Sequence, residues 1–273
     1  KDDINIDDDT FNKMCCELFP FPCAKKQKKE GTRGFYKKSQ KYLICVASPP
    51  KSGEGGVNSK DHLGNAQNEI DFIKRKFEET KDDRDYDVEV HVLKDVWPDT
   101  ILKKLKEGGY TAFIYIGHNS GCLNFTDSKG HFIAYDSEEF TQQLVKFGKG
   151  SLEFIFLNAC GSEGVCQSIL DLWTSSGSGL RRPPVTVGWR EAALPDRHAC
   201  EVSKLIFKHI IVDKCGYEEA VNSKSINKFC EDNAVKATRE EDDTEWTTAY
   251  YPCIVKPSKE SSYDPEIANP IAD

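Results

Sequence analysis

The chain has 273 residues, 38% of them hydrophobic and 30% charged. That length predicts one large domain or two small ones, with a core that needs no disulfide or metal staples. With 37 Lys and Arg against 45 Asp and Glu the net charge is −8, which argues against nucleic-acid phosphate as the main partner.

Residues 1–40 read as an extension rather than a core. An acidic run (Asp7, Asp8, Asp9) precedes Cys15-Cys16, the stretch Phe19-Pro20-Phe21-Pro22 and a basic run from Lys25 to Lys29. A tail that packs a few aromatics is expected there. A partner-docking segment is the alternative, and a metal cluster of Cys15, Cys16 and Cys23 lacks any Cys-x-x-Cys pair. From residue 41 strands alternate with helices. Tyr42 to Ala47 is a short apolar run that fits a buried parallel strand. A Pro/Gly-rich loop runs from Ser48 to Gly64. It contains Gly53, Gly55 and Gly56 but no Gly-Lys-Ser/Thr, so it is not a phosphate cradle.

Ile70, Ile73 and Phe77 recur at helical spacing, and Val88 to Leu93 alternates as a strand. Ile101, Leu102 and Leu105 mark a helix that Gly108-Gly109 ends. Ala112 to Ile116 is the third strand. Residues 122–135 form a hairpin-like excursion with a turn near Asp127 to Gly130. Asp136 and Glu139 make a capping box for a helix through Phe147.

Leu152 to Leu157 is the fourth strand, and Val165, Ile169, Leu172 and Trp173 line the helix after it. A loop from Thr174 to Pro184 leads to a fifth strand, Val185 to Trp189. Long helices are expected over Asp196 to Val212 and Tyr217 to Val235, then a last strand over Tyr250 to Val255. Residues 41–256 form one domain, and 257–273 are a loose tail. The order implies an α/β three-layer sandwich: a mostly parallel sheet with helices on both faces.

Eleven cysteines without regular spacing do not make a secreted disulfide framework. They read as reduced, largely buried thiols of a cytoplasmic protein. No run approaches the ~18 apolar residues of a spanning helix. The acidic start is unlike a signal peptide, and the missing initiator Met reads as a trimmed chain or a fragment.

In an open parallel sheet, ligands bind beyond the carboxyl ends of the strands. After the third strand comes Gly117-His118-Asn119-Ser120-Gly121. After the fourth comes Asn158-Ala159-Cys160-Gly161-Ser162. An imidazole and a thiol thus reach one edge of the sheet, and neighbouring strands lie only about 5 Å apart. That is the set for cysteine nucleophilic catalysis, with His118 moving the proton. A helix N-terminus after Cys160 favours thiolate, and the backbone N–H groups of Asn119 and Cys160 are candidates for an oxyanion hole. Each residue has a plainer reading: Cys160 as packing, His118 as a structural histidine. Their joint occurrence at successive strand ends favours chemistry.

Those two segments, Ile116 to Gly121 and Phe156 to Ser162, resemble the histidine and cysteine boxes of the CHAT family of caspase-like peptidases. Val187-Gly188-Trp189-Arg190, Asp196, Ala199, Phe207 and Glu219-Ala220-Val221 resemble the end of the same domain. The resemblance spans residues 41–240. It implies a caspase–hemoglobinase-like fold and a cysteine endopeptidase with Cys160 as nucleophile and His118 as general acid/base. In such peptidases Gly usually follows the histidine; here Asn119 does.

The resemblance places a first specificity pocket at Ser48, Asn158 and the Trp189-Arg190-Glu191 stretch. Glu191 or Asp196 would pair a basic P1 side chain, and Arg190 would face an acidic one. The reading leans to Glu191, with Asp196 as a helix cap. Trp189 is either a pocket wall or core. The chain would act on a protein substrate, under an activating or sensor protein, in regulated proteolysis, defence or cell death. No nucleic acid, membrane segment, metal or cofactor is expected. Two other classes stay open: a catalytically silent scaffold, and a flavodoxin-like binding module with both residues in its core.

Overall fold

The computed structural model describes residues 40–48, 63–83, 87–120, 122–126, 132–135, 137–148, 150–175, 182–190, 194–238, 245–248 and 250–256. All lie in the unit from Lys37 to Asp273. The extension before Gln40, the loop from Pro49 to Asn58, Asp136, the turn near Asp127 to Gly130, most of the Thr174 to Pro184 loop and the tail from 257 lie outside the described residues.

The strands that build the sheet are β1 (Gln40–Val46), β2 (Val88–Lys94), β3 (Ala112–Ile116), β7 (Phe154–Asn158), β8 (Val185–Trp189) and β11 (Pro252–Val255). They form one six-stranded sheet in the order β11-β8-β7-β3-β1-β2. Every pairing is parallel except that of β11 with β8. Three short strands, β4 (His118–Asn119), β5 (Leu123–Thr126) and β6 (Phe132–Ala134), make a separate antiparallel sheet. This is the excursion expected after the third strand. A further hairpin, β9 (Val235–Thr238) with β10 (Glu245–Thr248), was not expected.

Both faces of the main sheet are covered, so its central strands are apolar throughout rather than alternating. On one face Leu43, Phe113, Tyr115, Ile155 and Leu157 pack with Ile101, Phe140 and Ile169. These come from α2 (Pro98–Glu107), α3 (Ser137–Gly148) and α4 (Glu163–Ser175). On the other face Tyr42 meets Phe77, and Phe154 meets Phe207 and Tyr217. Those partners belong to α1 (Ala66–Glu79), α5 (Asp196–Ile211) and α6 (Tyr217–Val221). The fold is therefore mixed α/β, with a mostly parallel sheet between helical layers, as expected.

Local sequence explains the helix ends. Pro98 starts α2, where its missing N–H costs nothing. Gly108 and Gly109 end it at φ 86° and 80°, a backbone that side-chain-bearing residues avoid. The expected single helix from Tyr217 to Val235 is two: α6, then α7 (Lys224–Asp232). The break has a cause. Ser223 takes an extended conformation, and its hydroxyl accepts the Ile226 N–H at 3.4 Å, capping a new helix.

Gly117 leads out of β3 beneath the folded-back ring of Tyr115. A Cβ there would stand 2.3 Å from the tyrosine oxygen. That oxygen in turn donates to the carbonyls of His118, at 3.0 Å, and Asn124. Gly117→Ala therefore has to displace a fully buried tyrosine. We expect a loss of about 1–3 kcal/mol in urea unfolding, together with a shifted His118 backbone; an unchanged midpoint would contradict this packing.

Candidate active site

The site is set by the pairing of β3 with β7. Ile116 lies opposite Asn158, and Gly117 N–H still reaches the Asn158 carbonyl at 3.3 Å. His118 and Cys160 each follow two residues later, just beyond the carboxyl ends of these adjacent parallel strands. Both are half-buried. The turns that carry them are tied directly, since Asn119 Nδ2 donates to the Cys160 carbonyl at 2.8 Å.

The turn after Cys160 is tight. Gly161 has φ 56°, a left-handed conformation suited to glycine. Ser162 is fully buried; its hydroxyl donates to the Leu157 carbonyl at 2.8 Å and accepts the Trp189 N–H at 3.0 Å. One side chain thus locks the ends of β7 and β8 beneath the thiol. Helix α4 begins at Glu163, so Cys160 stands just ahead of a helix N-terminus, as expected. Among the described residues, the partners of Cys160 Sγ are both on Leu194. The sulfur accepts the Leu194 N–H at 3.3 Å and faces the Leu194 carbonyl at 3.8 Å.

Asn158 and Trp189 meet one layer below. Trp189 has no exposed surface, and its indole donates to Asn158 Oδ1 at 2.9 Å. Asn158 Nδ2 donates to both carboxyl oxygens of Glu69, at 3.1 and 3.2 Å. The Ser203 hydroxyl lies 2.5 Å from the same carboxyl. Glu69 belongs to α1 and is 1% exposed. Burial pushes its pKa up to about 8, and the negative charge of Asp196 adds to the rise; the Ser203 and Asn158 hydrogen bonds and Lys204 act against it. Glu69 was not anticipated from the sequence. Its signal was there: it shares the helical face of Ala66, Ile70, Ile73 and Phe77, where a carboxylate has no ordinary place.

The other expected site residues spread along the same edge. Ser48 lies two residues past the end of β1: its N–H donates to Asp95 Oδ1 at 3.1 Å, and its hydroxyl accepts the Leu63 N–H at 2.9 Å. Arg190 is largely exposed and forms a two-bond ion pair with Glu163, at 2.9 and 3.0 Å. That pair holds the Glu163 carboxyl below its usual range. Glu191 lies outside the described residues. Asp196 sits in the first turn of α5 and accepts both the backbone N–H of Asn65, at 3.0 Å, and its side-chain amide, at 2.9 Å. It joins α5 to the start of α1 rather than capping its own helix.

The eight described cysteines are all free thiols, and Cys45, Cys166, Cys200 and Cys230 are buried. Burial raises the Cys166 thiol well above its ordinary range. Among the described residues no group of three His, Cys, Asp or Glu could hold a metal ion, and no helix is long and apolar enough to cross a membrane.

No family model matches this sequence, and no curated protein does either. Solved structures show distant likeness. The complex of Porphyromonas gingivalis RgpB pro- and mature domains is 12% identical over 63% of this chain and 37% of its own, with a TM-score of 0.37. Chaetomium thermophilum Raptor is 10% identical over 68% of this chain and 20% of its own, with a TM-score of 0.36. The chain thus spans about a third and a fifth of these two. At those scores the likeness defines neither a family nor an activity.

The buried carboxyl makes stability depend on pH. Folded Glu69 keeps its proton up to about pH 8, whereas the unfolded group loses it near 4.5. The folded state therefore holds the extra proton between those values, and stability falls as pH rises across that window, at up to ~1.4 kcal/mol per pH unit. Glu69→Gln, which cannot ionise, should remove that slope in unfolding measured from pH 5 to 9. Parallel stability curves for the two proteins would show that Glu69 does not carry it.

Proposed function

We propose that the chain is a cysteine endopeptidase of the caspase-like type, with Cys160 as nucleophile and His118 as general acid/base. The observation that carries this reading is the β3–β7 register, which sets both residues the same two steps beyond a paired position. The carry-over from the CHAT resemblance, including a caspase–hemoglobinase fold and a cytoplasmic protease acting on a protein substrate, belongs to the same proposal.

The chemistry follows from the side chains. Cys160 Sγ attacks the scissile carbonyl carbon, and the oxygen that becomes negative is taken by the backbone N–H groups of Asn119 and Cys160. His118, which has taken the thiol proton, passes it to the leaving amine as the C–N bond breaks. Water then opens the thioester, and His118 takes its proton. Asn158 and Trp189 form the floor beneath the nucleophile, while Ser48, Arg190 and Glu191 contribute to recognition around it. Leu194 lies against the thiol. Its peptide has to withdraw before a substrate carbonyl can approach, which gives an activating partner something to move.

A second reading is a catalytically silent scaffold. The same Leu194 contact favours it, together with the Asn119 side-chain amide that donates to the Cys160 carbonyl beside the thiol.

Two measurements separate the readings. An activated thiolate should make Cys160 react with iodoacetamide or a peptidyl electrophile at least about tenfold faster than the other cysteines, as read by peptide mass mapping. A peptide-library digest by the protein should be lost in Cys160→Ala. Uniform slow labelling, or digestion that survives the substitution, would remove the peptidase reading.

A further inference from the structure

Away from the strand ends, three side chains join α5 to α7. His209 Nδ1 is 2.7 Å from Asp213 Oδ2, and His209 Nε2 is 2.5 Å from Ser225 Oγ. From Asp196 at the sheet edge, His209 lies thirteen residues further along α5, about 20 Å at the helical rise. This cluster is therefore separate from Cys160.

The chemistry of the three groups fixes their roles. The Asp213 carboxyl is held below its usual range by the His209 hydrogen bond. At neutral pH it is ionised and can only accept. His209 Nδ1 therefore carries the hydrogen. In the neutral ring Nε2 is then the acceptor, so Ser225 is the donor. That is the tautomer and direction a serine nucleophile requires. Ser223 Oγ lies 3.2 Å from Ser225 Oγ; with the Ser225 proton directed at His209, the Ser223 hydroxyl is left to donate to Ser225.

The surroundings supply the remaining parts. Ser225 is the second residue of α7. Ser223 already accepts the Ile226 N–H on its hydroxyl and the Asn227 N–H on its carbonyl. Helix geometry leaves the first N–H groups, those of Lys224 and Ser225, without an internal partner. They belong to Ser225 itself and to the residue before it, so an oxyanion formed at Ser225 would call on them. The Asp213 side chain is 39% exposed and that of His209 16%, and Ser225 is half-buried, so the cluster opens to the surface.

We propose that Ser225, His209 and Asp213 form a second nucleophilic site that accepts an acyl group from a small carboxylic ester. Ser225 Oγ bonds to the ester carbonyl carbon while its proton passes to His209 Nε2. The C–O bond to the alcohol breaks, and the alcohol leaves with that proton. Water then cleaves the acyl-serine by the same route and releases the acid. Asp213 is a positioning residue, which holds the ring and its tautomer.

The test uses the full chain carrying Cys160→Ala, treated with a fluorophosphonate probe. Attack by Ser225 forms the O–P bond, breaks P–F, and releases fluoride and a proton. One adduct per chain is expected, located by peptide mass mapping on Ser225. His209→Gln should slow its formation at least about 100-fold. Asp213→Asn should lower the maximal labelling rate at least about tenfold and leave the half-saturating probe concentration unchanged, a split that loosened packing alone would not produce. Absence of an adduct on Ser225, or an adduct formed at the same rate in both variants, would overturn the proposal. The adduct is assigned in a chain with this cluster intact, so the result does not depend on Ser225→Ala folding.

Discussion

The pairing of Ile116 with Asn158 is the constraint on which the rest of the candidate site depends. A parallel ladder advances both strands in step, so both chains leave the sheet at the same height. His118 and Cys160 inherit that alignment, and the Asn119–Cys160 hydrogen bond carries it one residue past the regular sheet. A slip of one residue in β7 would also turn Phe154 and Phe156 from one helical layer to the other. The hydrophobic core therefore protects the geometry of the edge. The packing of the core and the geometry of the candidate site are not separable at this position.

The layer beneath the thiol is polar and dry, which is expensive. Asn158, Glu69, Ser203 and Trp189 satisfy one another, and all four have almost no exposed surface. A buried acid held only by dipolar groups stays protonated where water would ionise it. An apolar cluster of the same volume would cost less. What the network adds is direction. It joins α1, β7, β8 and α5 through bonds with angles as well as distances, so the strand end that leads to Cys160 has one orientation.

The legible parts of this fold were those where apolar periodicity had a single interpretation. The runs Ala112 to Ile116 and Leu152 to Leu157 are too short for buried helices and carry strand-forming residues. The residues after them followed from the rule for parallel sheets. Helix α5 was expected over Asp196 to Val212 and ends one residue earlier. The Tyr217 to Val235 segment failed for a visible reason. Val221 and Ile226 are five apart, a step that no continuous helix keeps on one face, and Asn222-Ser223 stands in the gap. The hairpin of β9 and β10 gave no comparable signal, because Val235 had been absorbed into the helix. Glu69 lies on the face of Ile70, Ile73 and Phe77, and its polar partners Asn158 and Ser203 come from elements 89 and 134 residues away, which no local pattern reveals. Leu194 could not be found at all: it acts on Cys160 through backbone atoms, and backbone atoms leave no mark in a sequence.

Helix α5 links these observations. Its first turn carries Asp196, whose negative charge suits the positive end of the helix dipole and whose oxygens hold the start of α1. Its centre is enclosed on several sides, with Leu205, Ile206 and Phe207 all buried, and it brings Ser203 to Glu69. Its last turn carries His209, whose ring stands between Asp213 and Ser225. The helix meets both the sheet and α7 along its length: His198 packs on Phe229 of α7, and Phe207 on Phe154 of β7. A single rigid element therefore fixes the spacing between the sheet edge, where Asp196 holds Asn65, and the far end, where His209 meets Ser225.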